Sequence, residues 1–275
     1  MPELPEVETT RRGFDAIATG HRLKSMRIHE RRMRWPIPET LPAQVEGQLV
    51  QACRRRGKYL LIDFPHGTLL IHLGMSGSIR SVQPGELLRQ HDHVEWVFEH
   101  ATLRLHDPRR FGAVLWHDRV QGDIGQHPLL ASLGIEPFDP GFDASLLHEG
   151  LKGRKTAIKQ ALLAGDIVVG VGNIYASESL FRARIHPKTP SSRLSIQRCE
   201  RLVDAVRGTL KDALESGGST LRDYVNATGE PGAYFSIHAA VYEKAGQPCR
   251  RCRSVIRRIV QGQRATYYCP GCQKA

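Results

Sequence analysis

Lys58-Tyr59-Leu60-Leu61-Ile62-Asp63-Phe64-Pro65-His66-Gly67-Thr68-Leu69-Leu70-Ile71-His72-Leu73 decides the fold of the first half of the chain. Two short apolar runs flank Pro65-His66-Gly67, a segment that lacks one backbone donor and permits a tight reversal, so the stretch predicts a hairpin. Outward from it, Val94, Trp96 and Phe98 alternate along a second strand pattern, and Ala113-Val114-Leu115-Trp116 supplies another. Short strands spread over residues 58–116 point to an all-β sandwich or barrel in the N-terminal half. Pro36 to Pro42 is expected to be loop, because three prolines in seven positions remove too many donors for regular structure.

The pattern changes after Pro137-Phe138-Asp139-Pro140-Gly141, which reads as a linker. Beyond it helical spacing dominates. Ile196, Cys199, Leu202, Val203, Val206, Leu210 and Leu214 recur at steps of three and four, with Ser195 as a candidate cap and Gly217-Gly218 as the stop. A third unit starts near Val241. From Gly246 to Ala275 there is no acidic residue, while Arg250, Arg251, Arg253, Arg257, Arg258, Arg264 and Lys274 are all basic. The expected class is therefore α+β and multi-domain: a β-sandwich or barrel over residues 1–135, a helical unit over 136–235 and a small basic module over 236–275.

With 275 residues the chain exceeds the usual size of one domain. Lysine and arginine outnumber aspartate and glutamate 39 to 28, and the formal charge of +11 favours polyanionic partners. Nucleic acid is preferred over anionic membrane, since no strongly amphipathic basic helix stands out. No run of apolar residues is long enough to span a bilayer, and Met1-Pro2-Glu3-Leu4-Pro5-Glu6 has neither the basic start nor the apolar middle of a signal peptide, so a cytoplasmic location is expected. There is no phosphate-binding Gly-Lys-Ser/Thr loop, and no nucleotide cofactor is expected. Nothing calls for an oligomer; a monomer is expected.

Six cysteines in a reducing compartment argue against a disulfide scaffold. Cys53 and Cys199 stand apart and read as small buried hydrophobes. Cys249-x2-Cys252 and Cys269-x2-Cys272 are sixteen residues apart, the spacing of a four-thiolate zinc ribbon or finger. Two disulfides or an iron site are the competing readings. Four thiolates would close the coordination sphere, so one zinc ion would be structural and would activate no water. The module would present Arg257, Arg258 and Arg264 to phosphates. Taken alone, Arg264 is one phosphate clamp among several.

The N-terminus carries a different kind of signal. An initiator methionine before proline is commonly removed, which would leave Pro2 as a secondary amine able to attack a sugar carbon and form an iminium ion. Glu3 lies beside it, with Glu6 and Glu8 close behind, and a partly buried carboxylate there could shuttle a proton. The bland alternative is a helix cap and first turn.

Several stretches together go further. Pro2-Glu3-Leu4-Pro5-Glu6-Val7-Glu8-Thr9, His72-Leu73-Gly74-Met75-Ser76-Gly77, Asp107-Pro108-Arg109-Arg110-Phe111-Gly112, Val168-Val169-Gly170-Val171-Gly172-Asn173-Ile174-Tyr175-Ala176-Ser177-Glu178 and Gln263-Arg264-Ala265-Thr266 with the four cysteines occur in this order along the chain. The set resembles the bacterial formamidopyrimidine-DNA glycosylase family, from residue 2 to residue 272. The resemblance implies removal of oxidised purines, such as 8-oxoguanine and formamidopyrimidines, from duplex DNA, followed by cutting of the strand on both sides of the abasic sugar. It implies that Pro2 attacks C1′ and carries the Schiff base and that Glu3 moves the proton. By the same resemblance Lys58 assists the eliminations, and Arg264 binds phosphate and helps the second elimination.

By the same resemblance Met75, Arg109 and Phe111 fill the hole left by the extruded base, with the arginine facing the orphaned cytosine. An extruded base has to be replaced by apolar wedges and a bidentate donor, so the assignment makes physical sense. Asn173 and Tyr175 fall at the glycine-rich start of a helix, where the N–H groups and the dipole favour a phosphate, within what the family calls a helix-two-turns-helix element. His91, Arg154 and Lys155 match DNA-contacting positions, and Lys159 lies in the matching Thr156-Ala157-Ile158-Lys159 stretch. Arg154 departs from the family, where lysine is common, and so presents a fork where relatives have a point charge. Residues 217–240, with Gly217, Gly218, Gly229 and Gly232, resemble the loop that covers the damaged base. Two rivals remain at this level: an endonuclease VIII type enzyme, preferring oxidised pyrimidines, and a non-catalytic zinc-finger DNA-binding protein.

Overall fold

The computed structural model describes residues 2–83, 85–218 and 233–274, which divide into two units: Met1–Ala131 with Ser216–Phe235, and Ser132–Glu215 with Ser236–Ala275. The first unit opens with helix α1 (Leu4–Ala18), followed by β1 (Ser25–Ile28), the short helix α2 (Leu41–Val45), β2 (Ala52–Arg56), β3 (Tyr59–Phe64), β4 (Gly67–His72), β5 (Ser78–Val82), β6 (Asp92–Val97), β7 (Thr102–His106) and β8 (Ala113–Asp118). The hairpin expected at 58–73 forms: β3 and β4 pair antiparallel from Tyr59 opposite His72 to Phe64 opposite Gly67, across a two-residue turn. Two four-stranded antiparallel sheets result, in the orders β1-β6-β7-β5 and β2-β3-β4-β8.

Their inner faces meet in one apolar core. Met26, Ile79, Val94, Trp96, Leu103 and Leu105 come from one sheet, Cys53, Leu60, Ile62, Leu69, Ile71 and Val114 from the other, and α1 adds Val7, Phe14 and Ala18. Phe14 meets Trp96 edge-on at 5.5 Å, an arrangement worth about 0.5–1.5 kcal/mol beyond the buried area. The N-terminal half is thus a sandwich rather than a closed barrel. One expectation fails locally: α2 begins inside the segment expected to be loop, because Pro42 stands in its first turn, where a missing N–H costs nothing.

The first sheet also buries charge. Arg80 forks onto Asp92 through two 2.9 Å hydrogen bonds, and Arg104 donates to Glu95 at 2.7 Å and to Asp92 at 3.3 Å. Burial works to raise the Asp92 carboxyl, but Arg80, the Arg89 N–H and His106 outweigh it and hold the group well below the usual carboxylate range. Breaking one partner of such a network strands a buried charge.

The second unit contains α3 (Ala144–Leu151), α4 (Ile158–Ala164), α5 (Asn173–Arg182), α6 (Ile196–Glu215) and the hairpin β9 (Arg257–Gln261) and β10 (Arg264–Tyr268); the short helix α7 (Tyr234–Ile237) crosses the division between the units. Helix α6 is the amphipathic helix expected after Ser195, whose hydroxyl accepts from the Arg198 N–H at 3.4 Å. The buried face is Cys199, Leu202, Val203, Ala205, Val206, Thr209, Leu210 and Ala213. Pro137–Gly141 is no free linker. It lies within the second unit, where Arg207 of α6 donates to the carbonyls of Pro137, Asp139 and Phe142. Among the described residues no helix is long and apolar enough to cross a membrane.

Candidate functional site

Pro2 and Glu3 immediately precede α1. Pro2 is buried, and Glu3 is only 2% exposed. The Glu3 N–H donates to Glu6 Oε2 at 2.8 Å, half of a capping box that fixes the start of the helix. The bland reading of these residues as a cap is therefore correct as far as it goes, and it also explains how a terminal segment acquires a defined place.

The helix is tied along β2 by Arg55, which donates to Glu8 Oε2 at 3.3 Å, and by Arg11, which donates to the Cys53 carbonyl at 2.9 Å. Advancing from Glu8 to Arg11 retreats from Arg55 to Cys53, so helix and strand run antiparallel. The start of α1 and the far end of β2 therefore lie at the same end of the pair. Lys58 occupies that end, half-buried in the two-residue turn between Arg56 and Tyr59.

His72, the last residue of β4, was not singled out by the sequence. It pairs with Tyr59, and the two rings lie 4.7 Å apart. Burial, then the nearby cations Lys58 and Arg34, push it down to about 4, so it is neutral at physiological pH. Its Nδ1 accepts from the Gly74 N–H at 3.1 Å, which assigns the proton to Nε2. The only sequence signal was its place at the head of His72-Leu73-Gly74-Met75.

Met75 and Phe111 are apolar yet 41% and 44% exposed, and the Arg109 guanidinium stacks 4.9 Å over the Phe111 ring. The structure thus brings these three onto one edge of the sandwich unit. His91 is half-buried nearby in the left-handed region, at φ 74°. Its ring centroid lies 6.1 Å from that of His106.

In the second unit, α4 and α5 meet the finger hairpin at a buried cation. Lys159, 0% exposed, donates to Asn173 Oδ1 at 2.7 Å, to Thr266 Oγ1 at 2.8 Å and to the Ala265 carbonyl at 3.1 Å. Asn173 Nδ2 donates to Tyr242 Oη at 3.1 Å and to the Ala265 carbonyl at 3.0 Å. Its amide is committed to the protein, so a phosphate at this helix start would meet backbone first. Tyr175, two residues further into α5, is 0% exposed as a whole residue, and its ring belongs to the core. Arg154 forks onto Asp166 at 3.1 and 2.9 Å and donates to the Gly150 carbonyl, whereas Lys155 is exposed. A phosphate would compete with Asp166 for Arg154.

Arg264 opens β10, exposed, opposite Gln261 across a turn made by Gly262 and Gln263 at φ 53° and 60°. A two-residue turn with both residues left-handed matches the twist of a tight hairpin and projects the flanking side chain outward. Beneath it the four cysteine sulfurs lie within 4.8 Å of one another. Cys252 and Cys269 are 3.3 Å apart and Cys249 and Cys272 3.8 Å, too far for disulfides. Four sulfurs at about 2.3 Å from a tetrahedral zinc ion stand about 3.8 Å from each other, so the cluster fits one closed structural zinc site. Cys53 and Cys199 are remote and buried, as the reading of small buried hydrophobes expected, and burial pushes their thiols up to about 12 and about 11. In the stretch 217–240, Gly217 and Gly218 are described with φ 71° and 88°. Residues 219–232, including Gly229, lie outside the described residues.

The whole chain aligns with known proteins. Family models match as formamidopyrimidine-DNA glycosylase N-terminal domain over residues 1–114, as its H2TH domain over 133–225, and as the zinc finger found in FPG and IleRS over 246–275. The formamidopyrimidine-DNA glycosylase of Bordetella petrii is 69% identical over 274 residues, covering 100% of both chains. A Lactococcus lactis FPG variant in complex with Fapy-dG containing DNA superimposes with a TM-score of 0.92 at 32% identity, covering 100% of both chains. MutM (FPG) from Thermus thermophilus gives 0.88 at 39% identity over 99% of this chain and 98% of that one. A sandwich, a helix-two-turns-helix element and a four-thiolate finger in this order define a class of DNA glycosylases. The chain belongs to the formamidopyrimidine-DNA glycosylase family.

Proposed function

We propose that the protein excises oxidised purines from duplex DNA and then nicks the strand, acting as a DNA glycosylase and abasic-site lyase in the cytoplasm, where the nucleoid lies. The observation that carries this is the carboxylate of Glu3, buried beside Pro2 at a capped helix start in a chain that matches the family from end to end. With Met1 removed, the Pro2 amine attacks C1′ as the bond to the damaged base breaks, and the base departs with a proton. The sugar ring opens to an iminium ion on Pro2. That cation draws electrons from C2′, and loss of the C2′ proton expels the 3′ phosphate; a second elimination expels the 5′ phosphate. Glu3 carries the proton at the sugar.

Lys58, at the same end of α1 and β2, holds backbone phosphate and assists the eliminations. His72, neutral and protonated at Nε2, has a donor for a phosphate oxygen without a charge of its own. Met75, Arg109 and Phe111 fill the space of the extruded base, and His91, Lys155, Arg154, the α5 start and Arg264 bind phosphates. The zinc ion holds the finger in shape and takes no part in the bond changes.

Borohydride trapping on a duplex containing 8-oxoguanine opposite cytosine tests the reading. Wild type should form a covalent adduct, and Pro2→Gly and Glu3→Gln should lose most of it. Tight binding with no adduct would overturn the enzyme in favour of a DNA-binding protein, and preference for thymine glycol would move it to oxidised pyrimidines.

A further inference from the structure

The side chains that reach the DNA side of the sandwich lie on three separate loops: Met75 between β4 and β5, His91 ahead of β6, and Arg109 and Phe111 between β7 and β8. Met75 and Phe111 are exposed apolar groups. Burial cannot hold them in place, so their position has to come from the backbone beneath them.

All three loops meet at Asp107, which is 0% exposed. Its Oδ1 accepts from Ser76 Oγ at 2.9 Å, beside Met75, and its Oδ2 accepts from the Gly112 N–H at 2.8 Å, beside Phe111. Its N–H donates to the His91 carbonyl at 3.0 Å, and its own carbonyl accepts from the Arg110 N–H at 3.1 Å and from His93 Nε2 at 2.8 Å. His93 reaches it because β6 bulges there: Asp92 pairs with His106 and Val94 with Leu105, which leaves His93 as the extra residue.

The loops have no slack around this point. A Cβ on Gly74 would stand 2.5 Å from the Phe111 carbonyl carbon and 2.6 Å from Gly112 N, and one on Gly112 would stand 2.7 Å from the His72 carbonyl oxygen. The backbones of the first and third loops are therefore in direct contact, and Asp107 fixes their registration.

We propose that Asp107 is a positioning residue for base replacement, setting Met75, His91, Arg109 and Phe111 as one rigid group so that Arg109 reads the orphaned base. The proposal rests on the function given above. Both donors to the carboxylate are neutral, so shape matters here rather than charge. An amide in its place can accept from Gly112 with its oxygen and donate to Ser76 Oγ with its NH2. Misplacing a reading group by about 1 Å costs on the order of 100-fold in rate.

The test is single-turnover excision of 8-oxoguanine opposite cytosine and opposite adenine by wild type, Asp107→Ala, Asp107→Asn and Ser76→Ala, with a fluorescent adenine analogue beside the lesion reporting displacement of the stack. Asp107→Ala should lose about tenfold or more in cytosine-over-adenine preference and most of the fluorescence change, Ser76→Ala should lose less, and Asp107→Asn should stay within about threefold of wild type. General destabilisation would slow both duplexes alike and leave the ratio intact. Preference retained by Asp107→Ala, or Asp107→Asn falling as far as Asp107→Ala, overturns the proposal. Should Asp107→Ala not fold, Ser76→Ala decides, and an unchanged ratio there overturns it. A wild type that traps no adduct on the same cytosine duplex instead overturns the enzyme reading.

Discussion

The sandwich and the finger hold their shapes by opposite means. In the sandwich two sheets and α1 bury a continuous apolar core that runs from Val7 to Val114. In the finger, over residues 246–274, the buried apolar set shrinks to Cys249, Ile256, Tyr268 and Cys269, while Val255 and Val260 are 57% and 61% exposed. A sheet with two covered faces draws its stability from area. A short basic hairpin has no such area and relies on ligand bonds, which leaves its surface free for arginines.

The largest expected effect breaks that comparison directly. Removing zinc with a chelator should cost the finger on the order of 10 kcal/mol, enough to unfold it, while the sandwich stays intact. Hydrogen exchange should then show lost protection at β9 and β10 and unchanged protection at β3 and β4. Protected finger amides in verified metal-free protein would show that the finger stands without its metal. In the other direction, Leu60→Ala opens a cavity at a side chain 0% exposed and should cost the sandwich about 2–5 kcal/mol in denaturant melts, with the finger's zinc retained. A loss under about 1 kcal/mol would mean that the core can collapse around the gap.

The smallest effect sharpens the picture within the sandwich. His72 is pushed from its ordinary 6.5 down to about 4, so between these values the unfolded chain takes up a proton that the folded chain refuses. Folding stability should be unaffected above pH 6.5 and should fall as pH drops through that window, by at most about 3 kcal/mol. His72→Asn, which can still accept from the Gly74 N–H, should flatten this part of the profile. An equally steep fall in His72→Asn would assign the acid sensitivity to other groups.

How far the sequence could be read follows the same division. The β3–β4 hairpin and α6 were legible because their apolar periodicity is clean, and the finger because cysteine spacing encodes its ligands. Strands β2, β5 and β7 were not: Arg54, Arg55 and Arg56 end the apolar pattern of β2, and β5 and β7 are five-residue strands whose Arg80 and Arg104 lie on the sheet face opposite the core, buried against Asp92 and Glu95. Pattern alone cannot distinguish an arginine that faces water from one that faces a buried carboxylate. The chemistry of a terminal amine made Pro2 and Glu3 candidates with a cap as the bland alternative, and the roles proposed for them and for Lys58 rest on the family resemblance, because a cap and a turn lysine look ordinary one at a time. At Tyr175 the sequence pointed to the backbone of a helix start, and the burial of its ring in the core was not legible there. Asp107 was quoted within a motif but given no role, because its five partners are scattered over residues 76 to 112 and converge only in three dimensions.

The buried ammonium of Lys159 limits how this protein could be recombined. It donates to Asn173 of α5 and to Ala265 and Thr266 of the finger hairpin, so the finger is not an interchangeable cassette. A chimera that imports the last thirty or so residues from another protein inherits Thr266 and a carbonyl shaped for a cation supplied about a hundred positions earlier, and in evolution the two segments must travel together or be repaired together.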